Sequence, residues 1–402
     1  MSPAEPRGPA RIRPQWMVLF AVLALAGAAA FLAEVGGPRS LRAWQAYLVN
    51  FVFWTGLSSG AVLFVVVLNL TDARWGRPLK RLAEGLGAFL PASFLLFWVL
   101  YFGRGEIFPW IHDPVPEKAR WLNAGFLFAR DGAGLLLLTL LSMGLIFCSV
   151  KADREFINRP GGGADPAAEK RWKAQRVLSP VFGILYAFIL SLLAFDLIMS
   201  LDPHWYSTLF GAHYFISSFF AALAFVSHVL RKTQGLEEYI HPHHLHDLGK
   251  LLFAFGIFTG YLFYVQFLVI WYGNLPEETK YVILRVRFTP WEPVAWTTLG
   301  MIFVLPFLAL LRRKWKMNPA VMIPVSLVVL GGMWLERFIL VAPSLWKAKT
   351  LPLGIPEVLI TAGFLGIMAL STALFLGRVP LLPVSDPLFR EAMEPHDEEE
   401  KP

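Results

Sequence analysis

Residues 178–215 read LSPVFGILYAFILSLLAFDLIMSLDPHWYSTLFGAHYF. From Leu178 to Ser200 only Asp196 carries a charge. A helix needs about 20 such residues to cross the hydrocarbon core of a bilayer. The chain then turns through SLDPHWYST, with no Lys or Arg, and a second apolar run starts at Ser207. Asp196, Asp202, His204 and His213 all fall at this junction. Ionisable groups are costly in lipid and mark proton or substrate paths more often than packing.

The whole chain repeats this pattern. Its 402 residues are 56% apolar and 16% charged, with a mean hydropathy of +0.54. Soluble domains carry about 25% charged residues. Ten apolar runs have spanning length: 15–34, 44–70, 82–103, 125–150, 178–200, 207–230, 248–272, 291–311, 319–341 and 355–377. The first follows RIRP like a signal peptide, but its end, AFLAEVGG, lacks a small-residue cleavage site, so it reads as a helix. The expected fold is all-α and polytopic. Residues 1–14 form a cytoplasmic tail, 15–377 the transmembrane domain and 378–402 an acidic cytoplasmic tail. GGGADPAAEK (Gly161–Lys170) reads as a flexible loop, and EAMEPHDEEEKP at the end as disordered.

Charge sets the orientation. Loops on the N-terminal side hold 23 Lys and Arg, the opposite loops 10. The positive-inside rule then places both termini in the cytoplasm. The net charge of +7 sits in these short loops, so it points to membrane topology and excludes a nucleic-acid partner. PEKARW (Pro116–Trp121) and PEETKY (Pro276–Tyr281) recur before the fourth and eighth helices, on the same side. That echo suggests two four-helix bundles, helices 2–5 and 6–9, with helices 1 and 10 flanking.

At about 1.5 Å per residue, Asp196 lies roughly 27 Å into helix five, near the outer surface. Arg130, Asp131, Glu336 and Arg337 reach a similar depth. Glu292 and Glu357 start helices there, and His112, Asp202 and His204 lie in the adjoining loops. His213 is about 9 Å down helix six. Two readings follow: a proton path or quinone-head site near the periplasmic face, or charges that snorkel or pair structurally. Histidine exchanges protons near neutral pH, and a desolvated aspartate approaches that range.

Internal redox centres lack ligands. Cys148 is the one cysteine, which excludes a disulfide, a CxxCH haem site and a Cys-ligated iron–sulfur cluster. His213 and His228 share helix six, but no second span offers histidines for bis-His haem ligation. HPHHLHDLGK (His241–Lys250) reads as a loop capping helix seven, with imidazole binding of zinc or copper as the other reading. No metal is expected.

SLDPHWYSTLFG (Ser200–Gly211) and HDLGKLLFAFGIFTGYLFYVQFLVIWYGNLPEETKY (His246–Tyr281) resemble the membrane subunits of alternative complex III, within the wider NrfD-like family of polysulfide-reductase membrane anchors. The chain is more similar to the ActF type than to the ActC type. The resemblance covers most of the chain and is strongest over 196–287. It implies a subunit of a quinol:electron-acceptor oxidoreductase in the bacterial inner membrane. Its implied partners are an ActC-like quinol-oxidising subunit, multihaem cytochrome c and iron–sulfur subunits, and lipid. Haem and iron–sulfur would belong to those partners, with no cofactor held by this chain; a quinone bound by this chain itself is the alternative. Asp196, Asp202, His204, His213, Asp131, Glu336 and Arg337 are then the candidate proton-path or quinol-facing residues. A secondary transporter, with Pro91, Pro306 and Pro324 interrupting helices, and a structural anchor are the rival readings.

Overall fold

A computed structural model describes residues 8–10, 12–158, 166–230, 236 and 238–393. Residues 1–7 and 11 of the N-terminal tail, 159–165 around the glycine-rich loop and 394–402 of the acidic tail lie outside the described residues. Among the described residues ten helices are long and apolar enough to span a membrane: α1 Pro14–Val35, α2 Ser40–Leu70, α3 Arg77–Val99, α4 Ala124–Ile157, α5 Pro166–Leu201, α6 Phe210–Val229, α7 Pro242–Gly273, α8 Trp291–Leu310, α9 Pro319–Leu345 and α10 Ile355–Leu376. No β-strand occurs among the described residues, only an isolated bridge between Pro9 and Pro380. The chain is an all-α, multi-pass membrane protein.

Several helices outrun their apolar runs. α4 continues to Ile157, and α5 begins at Pro166 rather than near Leu178. Hydropathy detects only the part of a helix that lipid surrounds, whereas backbone hydrogen bonding continues into polar turns beyond it. Two spans are irregular. α3 is interrupted at Ala88 and Phe89, just before Pro91. In α8, residues Gly300–Val304 form a π-helical segment ahead of Pro306, whose ring nitrogen cannot donate a helical hydrogen bond.

The helices close into two rings. α2, α3, α4 and α5 pack in sequence, and α5 returns to α2. α6, α7, α8 and α9 do the same. The rings join where α2 meets α6 and α9, and where α5 meets α6. α2 is enclosed: every residue from Ala43 to Val62 is buried. A Cβ on its Gly60 would stand 2.8 Å from the carbonyl of Ser218 on α6, so glycine is what lets these backbones approach. α1 and α10 pack antiparallel on each other, and α10 also rests on α2 and α3. A Cβ on Gly27 of α1 would lie 2.4 Å from the Cα of Gly363 on α10. We call the end where α1 begins the near face and the other the far face.

Candidate functional site

Most of the candidate residues at the far face gather in two places, one per ring, while Glu357 at the start of α10 pairs separately with Arg42 of α2 at 2.7 Å. The first is built on the start of α4. Asn123 caps that helix, its side chain accepting from the Phe126 amide at 3.0 Å. Two turns on, Arg130 reaches Asp196 of α5. Its Nε donates to Oδ2 and its Nη2 to Oδ1, each at 2.5 Å. Trp121, in the loop before α4, donates from Nε1 to the same Oδ1 at 2.8 Å. The Arg130 guanidinium also lies 3.9 Å from the Trp121 ring centre. Asp196 is fully buried and held by three donors.

Asp131 lies against Asp196 and is also buried. No donor reaches either of its carboxylate oxygens. Two buried carboxyls in contact repel when both are ionised, so only one proton between them makes the contact favourable. Beside this pair opens a cavity of about 470 Å³, lined by Trp121, Phe195, Met199, Ser200, Trp205 and Tyr206.

The second cluster joins α6 to α9. His213 Nε2 and Glu336 Oε1 are 2.5 Å apart. The other Glu336 oxygen accepts from Arg337 Nη1. Arg337 Nη2 donates to the Ser217 hydroxyl at 2.8 Å and the Ser218 hydroxyl at 3.2 Å, and its guanidinium lies 4.5 Å from the Tyr214 ring centre. Tyr214 donates in turn to the Val52 carbonyl on α2 at 2.8 Å. His213 Nδ1 is buried without a hydrogen-bond partner.

A short helix outside the spans, Pro276–Val286, packs against α9 beside the second cluster and reaches Trp205, which lines the cavity. Its Tyr281 stacks on Trp205 with ring centres 3.7 Å apart. Arg285 lies 3.4 Å from the Tyr281 ring centre and donates to the carbonyls of Ile339 and Leu340, both at 3.0 Å, and to the Ser344 hydroxyl at 2.8 Å. Burial pushes the Tyr281 phenol up, opposed by Arg285. Burial likewise pushes the Arg285 guanidinium down, opposed by Tyr281 and Asp202. The Tyr281 hydroxyl and Trp205 Nε1 are buried with no hydrogen-bond partner.

The candidate residues therefore divide. Asp131 and Asp196 form one site; His213, Glu336 and Arg337 form the other. Asp202 is half-buried in the loop between them, within electrostatic reach of Tyr281 and Arg285. His204 is exposed and joins neither. His241–Lys250 starts α7, where the His241 amide donates to His244 Nδ1 at 3.0 Å.

A third polar centre, at the near face of the first ring, escaped the sequence reading. Arg77, Lys80, Arg81, Glu84, Asp153 and Asp386 are all buried. Asp386 pairs with Arg77 at 3.0 Å and Lys80 at 2.9 Å, while Arg81 pairs with Glu84 and Asp153. Ser385 donates to Asp153 from its amide at 2.8 Å and its hydroxyl at 2.6 Å. Three cations meet three carboxylates. Burial alone would push the Asp386 carboxyl up, but Lys80 and Arg77 beside it hold it below the usual carboxylate range. The stretch after α10, expected as the first part of an acidic cytoplasmic tail, is packed: Leu381, Leu382, Val384 and Phe389 are buried. A spacing of three to four from Arg77 through Glu84 was the available signal, since it puts these charges on one helical face.

A family model described as polysulphide reductase, NrfD, matches residues 36–347. Comparison with curated proteins gives no match. The matched stretch runs from just before α2 to just after α9, the two rings, and leaves out α1 and α10. The chain belongs to the polysulphide reductase NrfD family.

Proposed function

We propose that this chain is the ActF-like membrane subunit of a quinol:electron-acceptor oxidoreductase of the alternative complex III type, and that its far-face carboxyls relay protons. The family's members are membrane subunits of quinone-interacting oxidoreductase complexes that work with redox partners. In this reading an ActC-like subunit oxidises quinol beside it, and multihaem cytochrome c and iron–sulfur subunits carry the electrons. The near face is cytoplasmic, as the 23 to 10 bias of Lys and Arg supports. In this reading haem and iron–sulfur clusters belong to the partner subunits, since one cysteine supplies no thiolate ligand set for a cluster.

One observation carries the proton role: Asp131 is buried against Asp196 with both oxygens undonated. A proton shared by the pair satisfies Asp131, and Arg130 keeps Asp196 the fixed acceptor. The His213–Glu336–Arg337 cluster provides a second exchange point in the other ring. The test uses the assembled complex in sealed vesicles, following acceptor reduction and external proton release together. Asp131→Asn and Asp196→Asn should each slow turnover or abolish proton release while haem content and assembly persist. Unchanged turnover with unchanged proton release would make the pair structural.

The cavity beside Asp196 favours a second reading, in which quinol docks in this chain. Aromatic walls, the Ser200 hydroxyl and the unpartnered Trp205 Nε1 fit a quinone ring. A bound quinol would pass its two electrons to the redox subunits named above and release its two protons one after the other, each leaving by way of the Asp131–Asp196 pair. Photolabelling by an azidoquinone at Met199 or Tyr206 distinguishes this reading from the first.

A further inference from the structure

We propose that α8 and the loop after it form a binding site for an anionic phospholipid at the near face. Two adjoining features carry this. The first is a trough of about 530 Å³ on the outside of α8, lined by Thr297, Gly300, Val304, Leu308 and Trp315. These residues recur at helical spacing, so the trough follows one side of the helix. From Thr297 to Ala309 it runs roughly 18 Å, close to the length of an acyl chain. Gly300, inside the π-helical segment, keeps its middle open: a Cβ there would meet nothing within 4 Å.

The second feature is charge at the trough's near end. Residues 312–316 read RRKWK, four cations around Trp315. Arg312, Arg313 and Lys314 are exposed, and none of the four is ion-paired among the described residues. Arg312 lies 5.1 Å from the Trp315 ring centre, and Lys316 5.4 Å from that of Phe253 on α7. Lys250 and His246 at the start of α7 extend the patch, since His246 lies within electrostatic reach of Lys250, Arg313 and Lys316. Asp247 is engaged by Lys250 at 2.6 Å.

The occupant follows from this pairing. A partner helix would cover the trough but leave the cations unmatched. A zwitterionic lipid would fill the trough and bring no net charge. An anionic phospholipid answers both, its chain along α8, its phosphate among Arg312, Arg313, Lys314 and Lys316, and Trp315 at the boundary where aromatic rings anchor to headgroups. The site stands apart from the far-face residues and does not depend on their role.

Native mass spectrometry of the detergent-purified full chain tests it, using phosphatidylglycerol and phosphatidylcholine of equal chain length. The native chain should retain phosphatidylglycerol in preference to phosphatidylcholine. Replacing all four cations by Gln should lower that preference at least about tenfold, as expected from the attraction each cation exerts on an anionic headgroup. Lys347→Gln with Lys349→Gln, exposed on the far face, should leave it intact. Gly300→Leu, which fills the trough, should weaken retention of both lipids. Equal retention of the two lipids by the native chain overturns the proposal, as does an unaltered preference in the four-Gln variant or unaltered retention in Gly300→Leu.

Discussion

Arg130 holds Asp196 through two parallel hydrogen bonds of 2.5 Å, while Asp131, the next residue along α4, is left without a donor. The two neighbours on one helix thus have opposite consequences for the same carboxyl. One fixes its orientation through a two-point contact; the other presents a second oxygen pair that only a proton can join to it. Trp121 completes the arrangement, donating to Asp196 while lying under the guanidinium.

Arg130→Lys is the sharper probe of that arrangement. Lysine keeps the charge but loses the planar fork that meets both carboxylate oxygens. Turnover of the assembled complex should fall about tenfold or more, short of the roughly 10²–10⁴-fold attributed to a positioned acid–base group as a whole. Subunit stoichiometry should stay at the native level. Turnover equal to native would show that charge alone, without geometry, is what Asp196 requires.

Asp386→Ala should destabilise the near face, because it leaves Arg77 and Lys80 buried without their carboxylate. Breaking one member of a buried ion pair costs about 3–5 kcal/mol. The measurement is the thermal transition of the purified chain in detergent. Adding Lys80→Met to Asp386→Ala should recover part of the loss, since it removes one of the stranded charges.

The same carboxylate sets an acid limit. Its folded value lies below the usual one, so its contribution is fully present above the ordinary Asp value of about 3.9. It is lost as pH falls through the lowered folded value. Stability should therefore decline on acidification below about pH 4, and Asp386→Asn should flatten that part of the profile. An identical acid slope in the variant would assign the effect to other carboxylates.

Gly27→Leu should separate α1 from α10, because its Cβ would fall 2.4 Å from the Gly363 Cα. Backbones cannot move aside as a flexible side chain can. Gly36→Ala, where a Cβ meets nothing within 4 Å, is the matched control. Proteolysis near Val35 should speed up in the first variant and stay at the native rate in the second.

Orientation is open to direct labelling. With Cys148→Ser as background, a thiol at the exposed Glu169→Cys should react with a membrane-impermeant maleimide only from the cytoplasmic side. Reaction from the outside would invert the topology.

The helices were legible because lipid demands long apolar runs, and all ten were found. Their polar extensions were not, since residues such as Arg171 and Lys173 at the start of α5 carry no hydropathy signal. Asp131, Asp196, His213, Glu336 and Arg337 stood out for a similar reason: each is ionisable inside an apolar run. Their division into two sites was hidden, because pairing across helices depends on which faces meet. His204 and Asp202 looked like members through closeness in sequence, yet the turn points His204 to the surface. Arg77, Lys80 and Arg81 were counted among loop cations; their burial depends on Asp153 and Asp386, far away in the chain. The echo PEKARW/PEETKY had a structural meaning too, as its last residue in each copy, Trp121 and Tyr281, lies beneath an arginine.

Asp386 also dates the completion of the first ring. Arg77 and Lys80 are made early, and ribosomes must add some three hundred further residues before their carboxylate exists. Until then the two cations have the Asn69, Gln175 and backbone oxygens around them but no carboxylate of their own. Asp386 and Ser385 follow α10 in the chain, so their contacts to Arg77, Lys80 and Asp153 can close only once that helix has been made. A chain stopped before residue 386 therefore leaves the first ring with two buried cations that lack their carboxylate.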